Sequence, residues 1–485
     1  MGNFPSAHAA PAGFVSCFNS ALPTGAVSLP GGLSYPLVVR PYNLAYDITP
    51  AAVIRPRTTD QVSKAVKCAS DYDVKVQARS GGHSYGDYSI GGQSGSLVVD
   101  LVNFQQFSYD QSTGYATIGG GTLLKDVTKR LHDVGGRAMA HGLCPQVGIG
   151  GHATIGGIGP PSRMWGMSLD HVIKAEVVLA NGTVVRTNER SSPEIFFALK
   201  GAGASFGVVT EFKVITHPEP KEITQYTYKF ELSASHRDLA QMFARWQEFI
   251  SQPDLSRKFA SQFIVYELGL IVQGTYFGPR SEFDALGFNE KVVTGNANAN
   301  AFSVSVSITA NDWLGNVANW ATQEPINLFG GVRVPFYAKS LAFRNDTLMS
   351  PDTIQSVFNL FDSNNKGSKL WFAIFDLAGG AINDVPLDAT SYPHRDTLFF
   401  LQSYIIGIPK VTSRNRRWLN DINSVIESNA TGNANYYGAY AGYVDPFMEN
   451  AQTRYWKSNY PRLQQIKRQI DPRDIFHNPQ SVVGA

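Results

Sequence analysis

Cysteine is scarce in this chain of 485 residues: Cys17, Cys68 and Cys144 are the full set, an odd number that leaves one over if two pair. Charge of one sign is missing too. Lys and Arg together number 41 against 39 Asp and Glu, so the net charge is +2. No long basic block stands anywhere, which argues against a nucleic-acid or anionic-membrane partner. No run of eighteen apolar residues exists either, which excludes a membrane-spanning helix at the level of sequence. No internal repeat or low-complexity tract is visible. What is present is 43% hydrophobic and 12% aromatic residues with 45 glycines, a composition that excludes a disordered chain and leaves ample material for large cores. Length alone suggests two or more domains.

Three acceptor tripeptides for N-glycosylation occur, at Asn181-Gly-Thr, Asn345-Asp-Thr and Asn429-Ala-Thr. They tilt the reading toward a secreted protein carrying a Cys17–Cys68 disulfide; three buried free thiols are the alternative. Met1 to Ser20 shows neither a basic n-region nor a sustained apolar h-region, so either a signal peptide has been removed or the protein is intracellular; the secreted protein with its signal removed is the expectation.

Patterning divides the chain near residue 218. Before it, short strands at Ala51–Pro56, Val74–Ala78 and Phe206–Ile215 alternate with helices at Thr59–Tyr72 and Thr122–Val134. Asn181-Gly182 joins Ile173–Ala180 to Thr183–Thr187 as a hairpin, and Ser192-Pro193-Glu194 opens a short helix through Leu199. After it, strand candidates grow longer and more aromatic, near 224–232, 261–277, 302–309, 369–377 and 397–406. Helices over Leu239–Ile250 and Pro351–Phe361 fall between them, the second capped by Ser350. Asn296–Asn300 reads as an exposed loop, and a last helix from Tyr460 stops at Asp471-Pro472. The fold class is therefore α+β, with one large antiparallel sheet backed by helices in the second part.

Two glycine-dense stretches carry most of the functional information: Arg79-Ser-Gly-Gly-His-Ser-Tyr-Gly86 directly after a strand, and His141-Gly-Leu-Cys-Pro-Gln-Val-Gly-Ile-Gly-Gly-His152 continuing to Gly159. Glycines there let successive backbone N–H groups converge on an anion such as a pyrophosphate. Neither stretch fits a P-loop, and neither has the acidic residue of a nicotinamide-binding Rossmann unit. Taken one at a time they read equally well as tight turns.

Together, with His83 in the first and Cys144 in the second, these stretches resemble the berberine bridge enzyme-like branch of the vanillyl-alcohol-oxidase flavoproteins, and within it the fungal gluco-oligosaccharide oxidases. The resemblance takes in the Cys17 and Cys68 contexts, Gly201-Ala-Gly-Ala-Ser-Phe-Gly207 and Asp471-Pro-Arg-Asp-Ile-Phe-His-Asn-Pro479. It implies a two-domain FAD-binding fold: residues 1–217 completed by 446–485 for the cofactor, and 218–445 for the substrate. It implies FAD attached twice, through His83 and Cys144, an imidazole and a thiol being nucleophiles able to add to a flavin ring. Arg79, Ser80, Gly81, Gly82, Ser84, Tyr85, Val147, Gly148, Gly151, His152, Gly156, Gly207, Val209 and Asn478 match cofactor-side positions. No metal site is expected.

The same resemblance implies a tyrosine base assisted by an aspartate. Tyr443, in Tyr440-Ala-Gly-Tyr443-Val-Asp445, is the base in the best register, and Tyr440 is the alternative because Gly442 departs from the usual asparagine. Asp376 matches the helper, sharing a strand face with Phe372 and Ile374. Substrate-side positions are Tyr85, Ile264, Trp371, Phe372, Ile374 and Gln402, with Trp371 either stacking on a sugar or simply packing. Relatives acting on gluco-oligosaccharides carry polar residues where this chain has Ile264 and Ile374. The implied reaction is oxidation of a carbohydrate hydroxyl, the anomeric C1–OH of an oligosaccharide giving a lactone, with dioxygen reduced to hydrogen peroxide. Two alternatives stand beside it: the same flavin chemistry on a secondary metabolite or aromatic alcohol, and a non-catalytic flavin-fold binding protein.

Overall fold

Ala52–Ile54, Leu97–Asp100 and Phe399–Ile406 are strands buried on both faces, whereas the strand Phe107–Asp110 alternates between half-buried and exposed residues. A computed structural model describes residues 11–232, 235–295, 297, 301–321, 333–429 and 437–484. The Asn296–Asn300 loop expectation lies almost wholly outside them. Residues before 216 build two sheets. In the four-stranded one, Ala52–Ile54, Leu97–Asp100 and Val76–Arg79 run parallel, and Val27–Ser28 joins antiparallel at the edge. The helix Thr59–Asp71 supplies the crossover that parallel strands require, capped by Thr58, whose hydroxyl accepts from Gln61 N. Cys68 on that helix bridges to Cys17 on the short helix Phe14–Asn19.

The five-stranded sheet is antiparallel, in the order Phe107–Asp110, Tyr115–Gly119, Val208–Ile215, Val172–Val178, Val184–Thr187. The Asn181-Gly182 turn is where the sequence puts it, with Gly182 at φ +83°, a conformation a side chain disfavours. The helix opened by Pro193 continues to Ala202, beyond the expected Leu199, although Lys200 and Gly201 break its helical geometry.

A seven-stranded antiparallel sheet follows, in the order Phe302–Asn311, Ile223–Leu232, Gly269–Tyr276, Phe259–Tyr266, Trp371–Leu377, Phe399–Ile406, Phe336–Phe343. The expected single strand over 261–277 is a hairpin. Gly269, at φ +151°, sits so close to Phe230 that an added Cβ would lie 2.0 Å from its carbonyl oxygen. The edge strand Phe336–Phe343 and the helix Ser413–Ser428 are absent from the sequence reading.

Pleating gives this sheet two unlike faces. Trp371, Ala373, Phe375 and Leu377 point into a core with Phe243 and Trp246 of Ala240–Ile250, Phe358 and Phe361 of Pro351–Phe361, and Trp418 of Ser413–Ser428. Phe372, Ile374 and Asp376 point the other way, toward the first two sheets. The C-terminal helix Tyr460–Ile470 returns to the N-terminal half. There Lys467, fully buried, donates to Ser205 O, Phe476 O and the Asp471 carboxylate. Among the described residues no helix is long and apolar enough to cross a membrane.

Removing Lys467 would leave the Asp471 carboxylate, which also accepts from Ile475 N and Phe476 N, without its counter-charge and two carbonyls without their donor. Lys467→Ala is therefore expected to cost about 3–5 kcal/mol, the range for breaking a buried ion pair. Chemical denaturation followed by tryptophan fluorescence checks it, and a loss below about 1 kcal/mol contradicts the assignment.

Candidate active site

Where the sheets face one another lies a cavity of about 400 Å³. Both glycine-dense stretches reach it because their backbones touch: a Cβ on Gly81 would lie 2.3 Å from Gly148 N and 2.4 Å from Gln146 O. No residue but glycine permits that approach. It brings Ser80–Tyr85 and Cys144, Val147, Gly148, Gly151 and His152 into one wall, with Asn478 completing it from the C-terminal segment.

His83 and Cys144 both line this cavity and share a neighbour. The Tyr42 ring packs on the His83 imidazole with centroids 4.6 Å apart. Burial, and then the nearby Cys144, hold the Tyr42 phenol above its ordinary range. Burial, helped by the Arg333 cation, lowers the His83 pKa to about 4, so its ring is neutral with a lone pair at neutral pH. Burial pushes the Cys144 thiol up to about 11, which keeps it protonated in the chain by itself.

From Tyr42 a row of near-parallel rings crosses the cavity. Tyr42 stacks on Tyr85 at 6.1 Å and 10°, and Tyr85 on Tyr443 at 6.2 Å and 17°. Gln402 holds Tyr85 by donating from Nε2 to its hydroxyl at 2.6 Å.

Tyr443 ends the row and donates to Asp376 Oδ2 at 3.2 Å. The other carboxylate oxygen accepts from Gln262 Nε2 at 2.5 Å, and Gln273 Nε2 in turn donates to Gln262 Oε1 at 3.0 Å. Burial dominates the carboxyl and raises its pKa to about 6, against the lowering effect of both donors. Burial and the Asp376 charge hold Tyr443 well above an ordinary phenol. Tyr440 is engaged elsewhere: its hydroxyl accepts from Gly157 N at 2.9 Å, and burial raises it to about 12. The two candidate tyrosines therefore differ in what they touch, and Tyr443 is the one bonded to the carboxylate.

Several expected residues stand outside this wall. Trp371 is 1% exposed on the helix-backed face of its strand, stacked on Phe361 at 5.2 Å, and its Nε1 donates to Glu267; it packs and does not meet the cavity. Strand parity decides this, since Phe372 takes the cavity side. Arg79 turns away to donate to the Val38 and Val39 carbonyls and to pair with Asp100 at 2.7 Å. Gly156 backs onto Tyr440, Gly207 lies against Val177 and Val178, and Val209 belongs to the core of the five-stranded sheet. None of these three lines the cavity. Tyr42 and Gln262 are the principal residues absent from the sequence reading. Gln262 lies two residues before Ile264 on the same strand face, so alternation alone leads to it; Pro41-Tyr42-Asn43 carries no such signal.

Comparison with known proteins identifies the family. A family model described as an FAD binding domain matches residues 50–188, and one described as berberine and berberine like matches 439–483. An FAD-linked oxidoreductase, sorD, of Penicillium rubens is 37% identical over 465 residues, 95% of each chain. The chain belongs to the berberine bridge enzyme-like family of FAD-linked oxidoreductases. A chitooligosaccharide oxidase of Gibberella zeae is 33% identical over 91% of this chain and 89% of its own. Among solved structures, a glucooligosaccharide oxidase of Acremonium strictum superposes with a TM-score of 0.87 at 29% identity, covering 99% of this chain and 100% of that one. A second structure of that enzyme, TM-score 0.86 at 29% identity over 97% and 99%, is described as carrying 6-S-cysteinyl, 8α-N1-histidyl FAD.

The residues present suit the cofactor of this family. Ser80 Oγ, at the rim of the glycine approach, is buried without a hydrogen-bond partner, as is Tyr88 Oη, also on the cavity wall. Such groups are costly to leave unpaired and fit a polar ligand's oxygens. In this berberine bridge enzyme-like protein Gly81→Ala would push the two loops apart. Purified Gly81→Ala is expected to carry less than about one tenth of the flavin absorbance per protein, given a clash with backbone rather than with a flexible side chain; native flavin content would contradict the loop argument.

Proposed function

We propose that this protein is an oxidase that removes hydride from a CH–OH carbon, with His83 and Cys144 both bonded to FAD. The single observation that carries the reading is the Tyr443–Asp376 hydrogen bond at the end of an aromatic row that begins beside His83. The 6-S-cysteinyl, 8α-N1-histidyl linkage named for the Acremonium enzyme supports the double attachment. Bound FAD supplies the hydride acceptor and passes the electrons to dioxygen, giving hydrogen peroxide.

The chain's own residues handle the proton. A substrate hydroxyl placed against Tyr443 gives its proton to the phenol oxygen as the phenol proton moves to Asp376. A partly buried carboxylate whose pKa stands near 6 accepts that proton far more readily than an ordinary one. Gln262 holds Asp376 in place and keeps it ionised at neutral pH. In this reading residues 1–217 with 446–485 hold the cofactor and 218–445 form the substrate side. Secretion is supported by the Cys17–Cys68 bridge and by the exposure of Asn181, Asn345 and Asn429.

The names of relatives, oxidases of xylo-, chito- and glucooligosaccharides, support an oligosaccharide substrate oxidised at its anomeric C1–OH. A second reading, an aromatic or secondary-metabolite alcohol, is favoured by Ile264 and Ile374 on the cavity wall. Release of peroxide with any substrate would dismiss a purely binding role.

Tyr443→Phe is expected to slow anaerobic flavin reduction by about 10²–10⁴-fold, and Tyr440→Phe by less than about tenfold. The reverse order would move the base to Tyr440. Because Asp376 must be ionised, kcat/KM should rise with pH through an apparent pKa near 6 and level off above it. Gln262→Leu removes a donor that lowers that pKa, so the rising limb should move to higher pH; an unmoved limb would detach it from Asp376.

A further inference from the structure

Strand register lays the cavity face of the large sheet out as rows, and polarity changes from one row to the next. The row that holds the carboxylate runs Gln273, Gln262, Asp376, and its amides are already committed to one another and to Asp376. The next row runs Ile271, Ile264, Ile374, Gln402. Its three aliphatic side chains offer no hydrogen bond, and the Gln402 amide donates to Tyr85. The third row holds Tyr266, Phe372 and Tyr404; the last two line the cavity, and Tyr404 stacks on Phe336 at 4.4 Å. Ile264 and Ile271 are almost fully buried and pack with Tyr266, Phe372 and Tyr404 as one apolar cluster that also touches Tyr85.

A second sugar ring leading away from the reacting carbon would lay its hydroxyls on that aliphatic row, where water is displaced and no partner replaces it. A flat hydrocarbon framework loses nothing there and gains contact with the rings beyond. We propose that the substrate of this oxidase is an apolar hydroxy compound: a carbinol carbon attached to an aromatic or conjugated framework that lies along Ile264, Ile374, Phe372 and Tyr404. Oligosaccharides are then poor substrates of this chain, unlike the oligosaccharide oxidases it resembles. The inference rests on the reading that Tyr443 and Asp376 mark the reacting carbon.

The test uses the flavin-loaded protein with cinnamyl alcohol, cellobiose and xylobiose as probes. Binding is read from perturbation of the flavin spectrum without oxygen, and turnover from flavin bleaching and peroxide release. Cinnamyl alcohol is expected to bind and to exceed either disaccharide by about 10²-fold in kcat/KM, the order by which an apolar pocket rejects an added hydroxyl. Ile264→Gln combined with Ile374→Gln should weaken its binding at least about tenfold while leaving the unliganded flavin spectrum unchanged. Cinnamyl alcohol that binds with this sensitivity but is never oxidised would support the apolar wall and count against the Tyr443 reading. A disaccharide that binds or turns over better than cinnamyl alcohol, no binding of any probe, or indifference to the double substitution would overturn the proposal.

Discussion

A carboxylate at the end of an apolar strand face is the constraint around which this molecule is arranged. Asp376 follows Phe372 and Ile374 on the cavity side of its strand, and a lone charge there would cost several kcal/mol. Gln262 on the neighbouring strand and Tyr443 on the C-terminal segment are what make it tolerable. Each donor comes from a different part of the chain. The site therefore exists only when the large sheet and the segment after residue 437 are docked together, and the chemistry is tied to the fold by one acidic side chain.

Glycine supplies the complementary constraint on the opposite wall. Gly81 against Gly148 is a backbone-to-backbone contact that fixes the distance between two loops far apart in sequence. Everything that those loops carry inherits the distance, including His83 and Cys144. The ring row from Tyr42 through Tyr85 to Tyr443 links this wall to the carboxylate. Burial then sets the protonation states: a neutral imidazole, a neutral thiol, and a carboxyl group that ionises near pH 6. One low-dielectric cavity produces all three shifts, and in each case it disfavours the charged form.

Much of this is legible in the sequence, for identifiable reasons. Long strands with strict alternation, such as Trp371–Leu377, declare both their type and their faces, and the Asn181-Gly182 turn declares its hairpin. The motif residues His83, Cys144, Asp376 and Tyr443 all meet the cavity because short motifs keep their local geometry. Failures have equally local causes. The strand over 261–277 looked continuous because Glu267-Leu268-Gly269 carries a weak turn signal, yet Gly269 is held against Phe230 by tertiary pairing. For Trp371 the resemblance leaves stacking on a sugar or packing open, and parity with Phe372 decides for the core. Arg79 matches a cofactor-side position by resemblance, but its side chain pairs with Asp100 on the adjacent parallel strand, a pairing that sequence spacing does not reveal.

The central claim is that Asp376 is a partly buried carboxyl held by Tyr443 and Gln262. Its own titration tests that most directly: infrared difference spectra of the carboxyl stretch across pH, assigned by the band's loss in Asp376→Asn. The account predicts a midpoint near 6, moving to higher pH when Tyr443→Phe removes one donor. A midpoint near 3.8, the ordinary value, or one that ignores Tyr443→Phe, would contradict it.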